Sequence, residues 1–253
     1  MPNLKRLIWD LETCPNVVLS WRVGYKVRLD NDNILKERSI ICIGYKWEHE
    51  AKPRVLTWDK DQNDRTMLER FLKVANQAHE LVAHNGDQFD LPWFLTRCAF
   101  HGIRTFPSYK TVDTLQWAKR RFYFNSNKLD YIARYLGIGA KIKTEFGLWK
   151  AICLDKDPKA LKKMVAYCAQ DVLLLEKVHA RLAQLVPHKT HAGVLAGGEK
   201  WTCPKCASEA VKNKMTKVTA HGTVRKQMSC NKCGCIYTIG TPAYKQYREA
   251  KTK

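Results

Sequence analysis

Residues 7–12, Leu-Ile-Trp-Asp-Leu-Glu, set two carboxylates inside an otherwise apolar hexapeptide near the start of the chain. Apolar residues at successive positions describe a strand covered on both faces, the central kind of an α/β fold. Residues two apart on a strand point the same way, so Asp10 and Glu12 project from one face roughly 6–7 Å apart. Two carboxylates buried side by side carry a large desolvation cost unless cations compensate it. The face that receives them must therefore supply positive charge or bind it.

The elements that follow limit the architecture. Residues 38–47 (RSIICIGYKW) and 54–58 (RVLTW) are rich in β-branched and aromatic side chains, so three strands come in succession. Residues 63–78 space Met67, Leu68, Phe71, Leu72 and Val74 as one face of a helix, and 80–84 (ELVAH) read as a short buried strand ended by Asn85-Gly86. A helix over 89–101 and a strand near 109–113 follow. The segment SNKLDYIARYLG predicts a helix capped by Ser126 or Asn127 and stopped at Gly137. A long helix starts at Asp157-Pro158 and is expected to reach Pro187. Three strands, then alternating helices and strands, imply a mixed α/β sheet with helices on both faces.

Two further places hold chemistry-bearing residues. Asp90 stands just past the Asn-Gly turn at the head of a helix, where it is either a ligand or a helix cap. Tyr167 and Asp171 are four apart on the long helix and share a face, about 6 Å apart along the axis. Asp171 precedes Val172, Leu173, Leu174 and Leu175, an awkward setting for an unpaired charge. Asp113 either supports this group or merely caps the helix after its own strand.

In this order the residues resemble the DEDDy 3′–5′ exonucleases of the RNase H-like superfamily. WDLET (9–13) is similar to the opening strand of the proofreading domains of family B DNA polymerases, HNGDQFDLPWF (84–94) to their second motif, and Tyr167-Cys-Ala-Gln-Asp171 to the Y-x-x-x-D signature. The likeness covers roughly residues 4–186. It implies an RNase H-like, five-stranded mixed sheet flanked by helices. It also implies that Asp10, Glu12, Asp90 (not Asp87) and Asp171 ligate two Mg²⁺ or Mn²⁺ ions in a two-metal-ion hydrolysis. By the same resemblance Tyr167 orients the attacking water, and Thr13, His84, Asn85 and Phe89 lie near the terminal nucleotide. Residues 14–38 make a longer excursion than the family's, with Trp21, Arg22, Tyr25, Lys26 and Arg28 in it; this is either a grip for a single strand or a plain surface loop.

Of ten cysteines, five are scattered through apolar surroundings and five crowd between residues 203 and 235. Cys203-x-x-Cys206 and Cys230-x-x-Cys233-Gly stand at zinc-ribbon spacing, which predicts one structural Zn²⁺ held by four thiolates. Cys235 is the bystander. The organisation expected is an exonuclease domain over 1–188, a Gly-containing linker over 189–200, and a ribbon with a basic tail over 201–253.

The chain carries 44 Lys and Arg against 24 Asp and Glu, and the last 65 residues hold 13 of the former and only 3 of the latter. So concentrated a positive charge favours a polyanion, with nucleic acid the expected partner rather than a membrane. The ribbon would grip substrate, or serve as a structural clip or protein-docking knob. With scattered free cysteines, no membrane-spanning run and no long apolar leader, the protein is expected in a reducing, cytoplasmic compartment. The activity expected is stand-alone hydrolysis of single-stranded nucleic acid, DNA favoured over RNA, from a free 3′ end to nucleoside 5′-monophosphates. A binding protein that keeps the fold only as a scaffold, or an endonuclease, are the competing readings.

Overall fold

In a computed structural model that describes residues 4–48 and 50–252, the chain forms two compact units, Lys5–Leu182 and the chain from Ala183 onward. In the first unit β1 (Arg6–Thr13) is followed by a two-stranded ribbon, β2 (Val17–Val18) and β3 (Ile34–Lys36), and by β4 (Ile40–Trp47) and β5 (Arg54–Thr57). Then come α1 (Arg65–Ala75), β6 (Glu80–Ala83), α2 (Asp90–Phe100), β7 (Thr111–Asp113), α3 (Thr114–Arg121), α4 (Leu129–Tyr135), α5 (Phe146–Cys153) and α6 (Pro158–Leu182). The main sheet has five strands in the order β5-β4-β1-β6-β7. β4 and β5 run antiparallel to their neighbours, while β1, β6 and β7 are mutually parallel. This is the mixed, RNase H-like sheet that the sequence predicts.

Alternation along β1 divides its side chains between two cores. Leu7, Trp9 and Leu11 face α1 and α2, where Trp9 stacks on Phe71 at 4.9 Å and both rings meet Phe94 edge-on. Ile8 turns the other way, onto Val172, Leu175 and Val178 of α6. Asp10 and Glu12 share that second face, so their direction is fixed by the burial of the residues around them.

Gly44 permits the close approach of α6. It is paired with Asp10 across the β1–β4 ladder, and a Cβ there would lie 2.7 Å from the Cys168 Sγ and 3.0 Å from a Val172 methyl. Any side chain at 44 would push the helix away from the carboxylates, because a close-packed interface has no slack to absorb it.

The far end of β4 is pinned by a buried ion cluster. Asp64 accepts from the Ile40 amide at 3.0 Å, from two Arg97 nitrogens at 2.8 and 3.0 Å, and lies 2.6 Å from His101 Nε2. The β1–β4 register slips beside it, between Glu12 and Thr13. Such bulges re-aim a strand end, and here the slip falls directly after Glu12.

Helix limits differ from expectation in two places. α4 starts one residue after Lys128, with Ser126 Oγ accepting only a long 3.4 Å bond from the Lys128 amide. α6 stops at Leu182, five residues before Pro187, and Asp157 caps its start through the Lys159 amide at 2.8 Å. Gly137 ends the α4 turn in the left-handed region, at φ +66°.

The second unit carries a short helix, α7 (Ala192–Leu195), inside the stretch expected as a linker, and there Ala192 and Gly193 are buried. Three antiparallel strands follow, β8 (Val211–Val218), β9 (Val224–Cys230) and β10 (Ile236–Gly240), in the order β10-β9-β8, and then α8 (Thr241–Thr252). Its small core gathers Trp201, Val211, Met228 and Ile239 around the cysteines. Among the described residues, no helix is long and apolar enough to cross a membrane.

Replacing Asp64 by Ala strands a buried guanidinium and frees the β4 end, and is expected to cost about 3–5 kcal/mol of stability. Urea unfolding of the two proteins measures it; a loss below about 1 kcal/mol, the scale of a surface pair, contradicts the anchoring role.

Candidate metal centres

Three carboxylates from β1 and α6 converge. Asp10, Glu12 and Asp171 each offer an oxygen, and the three atoms lie within 4.8 Å of one another. Asp171 is fully buried, with Oδ2 ion-paired to the Lys141 Nζ at 2.7 Å and Oδ1 without a hydrogen-bond partner. A buried carboxylate oxygen without a partner is costly, and one ammonium beside three carboxylates fits a place where further cations gather. Oxygen ligands in this number suit Mg²⁺ or Mn²⁺, which Asp10, Glu12 and Asp171 would hold.

Burial raises all three members of the group, and neighbouring negative charge adds to it at Asp10 and Glu12. The Asp10 carboxyl is pushed up to about 7 by burial and by Asp171. Glu12 rises to about 8 through burial and Asp10. Burial also raises Asp171, against the pull of Lys141.

Asp90 stands outside the trio of mutually close ligand atoms. It is buried at the first turn of α2, and its Oδ1 accepts from the Leu11 amide at 3.0 Å. The reason is local: β1 pairs with β6 only from Arg6 to Ile8, so the Leu11 amide, on the edge that β6 has left, needs an acceptor. Asp90 supplies it at the residue between Asp10 and Glu12, and its own carboxyl is raised by burial and by Asp10. Asp87, by contrast, is exposed.

The turn that delivers Asp90 is held by Asp113. This buried carboxylate caps α3 through the Leu115 amide at 2.8 Å and also accepts from the amides of Asn85 at 2.9 Å and Asp87 at 3.3 Å. It performs both roles that the sequence left open. Asn85 takes φ +71°, and a Cβ on Gly86 would sit 2.4 Å from that of Ala83, so the Asn-Gly pair is required by the backbone.

Of the other residues expected near substrate, His84 has both ring nitrogens engaged, with Thr114 Oγ1 at 2.8 Å and the Asn127 carbonyl at 3.0 Å. Phe89 packs against the core under α2. Thr13 lines an open groove together with Arg38, Phe146 and Trp149. Tyr167 meets Trp149 edge-on at 6.5 Å. Burial and then Asp171 raise its hydroxyl above the usual phenol range, so it stays protonated at neutral pH.

Sequence reasoning missed Lys141. Its backbone amide is fastened to Asp130 Oδ1 at 2.8 Å, and its ammonium reaches Asp171 and, at 3.4 Å, the Tyr167 hydroxyl. Burial works against its charge, but Asp171 and Asp10 outweigh that and raise it. A lysine in the loop AKIK looks like any solvated surface charge. Its spacing from Asp130 (Asp130-x10-Lys141) carries no recognisable signal.

In the second unit the sulfurs of Cys203, Cys206, Cys230 and Cys233 also lie within 4.8 Å of one another, with Cys203–Cys233 at 3.6 Å and Cys206–Cys230 at 3.7 Å. Four thiolates about 2.3 Å from one tetrahedral zinc would stand about 3.8 Å apart, so the set fits Zn²⁺. Each knuckle is followed by a left-handed residue, Ala207 at φ +57° and Gly234 at φ +71°. Cys235 lies outside the four, 3.7 Å from His188 Nε2.

Comparison with known proteins agrees with this geometry. Residues 34–183 match the RNase_H_2 family of the RNase_H superfamily. The match spans more than half of the chain, which therefore belongs to that superfamily. DNA polymerases of Thermococcus litoralis and Pyrococcus glycovorans are each 37% identical to it over 75 residues, 26% of this chain. The matched stretch is 4% and 9% of those proteins' lengths, so the chain corresponds to a small part of either. The family B DNA polymerase of Pyrobaculum calidifontis shares the fold, with a TM-score of 0.56 at 16% identity over 72% of this chain and 25% of the polymerase. Superfamily membership and the acidic cluster together support a nuclease that uses divalent metal.

Because the folded-state values of Asp10 and Glu12 are raised, their contribution favours the fold at low pH and is lost as pH rises through about 7 and 8. Added Mn²⁺ should therefore raise the melting temperature clearly at pH 8.5 and little at pH 5.5, where protons compete for the same oxygens. Asp171→Asn should remove most of that shift; an equal shift at both pH values, or in the variant, contradicts the cluster. Chelation of Zn²⁺ is expected to unfold the unit from Ala183 onward, read as loss of protease resistance there; unchanged resistance contradicts a structural zinc.

Proposed function

We propose that the chain is a metal-dependent 3′–5′ exonuclease that trims single-stranded nucleic acid, DNA in preference to RNA, to nucleoside 5′-monophosphates. The observation that carries this reading is the convergence of Asp10, Glu12 and the buried Asp171, with a protonated Tyr167 one turn before Asp171 on α6. The likeness of part of the chain to archaeal DNA polymerases favours DNA.

In this reading Asp10, Glu12 and Asp171 hold divalent ions, with Asp90 beside them. The ions, when bound, supply Lewis acidity to the attacked phosphodiester and its departing 3′-oxygen. The protein's own groups do the positioning. The Tyr167 hydroxyl, a donor and not a base, orients the attacking water. Lys141 holds Asp171 in place and offsets part of the negative charge that would repel a phosphate. The groove of Thr13, Arg38 and Phe146 gives the terminal nucleotide a surface that is aromatic and basic.

The second unit adds affinity. Between Val211 and Arg248 there is no acidic residue, while Lys212, Lys214, Lys217, Arg225, Lys226, Lys232, Lys245 and Arg248 are all basic. β8 is exposed along nearly its whole length, so its lysines are free to meet phosphates. In this reading the ribbon tethers the strand while its end is cut.

A 5′-labelled 20-nucleotide strand incubated with Mg²⁺ should shorten stepwise from its 3′ end. Asp10→Ala and Asp171→Ala should abolish the ladder with the fold intact, and Tyr167→Phe should slow it roughly tenfold to a hundredfold at unchanged binding. A single internal cut would make the enzyme an endonuclease, and an intact strand would leave a binding protein.

A further inference from the structure

The excursion between β2 and β3 has features that the fold does not use. Its stem is fixed: Val17 pairs with Lys36 and Val18 with Ile34, the Leu19 amide donates to the Asn33 carbonyl at 2.9 Å, and Asn33 Nδ2 donates back to Leu19 at 3.1 Å. Beyond the stem, residues 20–29 (SWRVGYKVRL) contain three basic residues and no acid. Trp21 and Tyr25 are wholly exposed, at 103% and 104% of their reference areas, and neither takes part in any core cluster. The tip curls around a cavity of about 810 Å³ lined by its own residues.

Two large aromatics held away from the core, on a basic arm, gain nothing for the folded chain. They leave large apolar surfaces in water. Planar rings interleaved with cations are what a flexible polyanion bearing planar bases requires, since stacking and phosphate pairing then act together. The arm's position is informative too. It leaves the sheet just after Thr13 and returns at Arg38, whose amide is fastened to Asn16 Oδ1 at 3.1 Å. Thr13, the residue after Glu12 on β1, and Arg38 line one groove, so the arm springs from the end of the strand that carries Asp10 and Glu12.

We propose that Ser20–Leu29 is a strand-holding arm, in which Trp21 and Tyr25 stack on bases of a single-stranded nucleic acid while Arg22, Lys26 and Arg28 contact its phosphates. The arm deepens the nuclease reading, on which its choice of occupant rests, by adding a second grip on the strand whose end is cut.

The test is binding of a fluorescent 20-nucleotide single strand in EDTA, followed by anisotropy, so that hydrolysis plays no part. The Trp21→Ala/Tyr25→Ala double variant should bind at least tenfold more weakly than the unaltered protein, with the same melting temperature because both rings are exposed. Arg22→Glu/Lys26→Glu should weaken binding similarly and flatten its salt dependence. Affinities within twofold of the unaltered protein for both variants would overturn the proposal. So would a loss confined to binding of phosphatidylserine vesicles, which would make the arm a membrane contact. The outcome is separable from that of the nuclease reading: weakened binding in a protein that cuts nothing upholds the arm and sinks the exonuclease, and unchanged binding in an active enzyme does the reverse.

Discussion

The close contact between α6 and the face of β1 and β4 underlies the rest of the structure. It exists because Gly44 has no side chain, so that Cys168 and Val172 can settle against the strand opposite Asp10. The same contact brings Asp171 to within ligand distance of Asp10 and Glu12. Apolar burial on both sides of the sheet holds the two elements together against the mutual repulsion of the carboxylates. Burial first, and then that repulsion, displaces the titration of Asp10 and Glu12 upward, and a divalent ion would relieve both costs.

Around that contact the loops are held by side chains that take over where strand pairing ends. Asp90 accepts the Leu11 amide after β6 has parted from β1, Asp113 gathers the amides of Asn85 and Asp87, and Asp64 holds the Ile40 amide beside the bulge. Each is a buried carboxylate that stabilises a piece of irregular backbone. Asp90 bonds the residue between the two β1 carboxylates, and Asp113 holds the turn that leads into Asp90. Precision in such a site comes from these supports as much as from the ligands themselves.

Much of this was legible in the sequence, for identifiable reasons. The doubly apolar run around Asp10 and Glu12 could only be a central strand, and period-two alternation then fixed which way both carboxylates point. Four-residue spacing placed Tyr167 and Asp171 on one face, and the two C-x-x-C pairs announced their own cluster. What escaped were contacts without a local pattern. Lys141 reaches Asp171 across 30 residues of chain, and nothing in AKIK sets it apart from a solvated lysine. The engagement of His84 with Thr114 and Asn127 is likewise a tertiary fact. The short helix α7 also escaped, since residues rich in glycine read as a linker until Ala192 and Gly193 are seen to be buried.

Side chains from β1 and α6 come together as one candidate divalent-metal site. The most direct measurement is an anomalous difference map from crystals of the protein soaked in Mn²⁺. Two peaks about 4 Å apart, bounded by Asp10, Glu12 and Asp171, are expected. Peaks elsewhere, or a cluster that stays bridged by Lys141 alone at millimolar Mn²⁺, would contradict it.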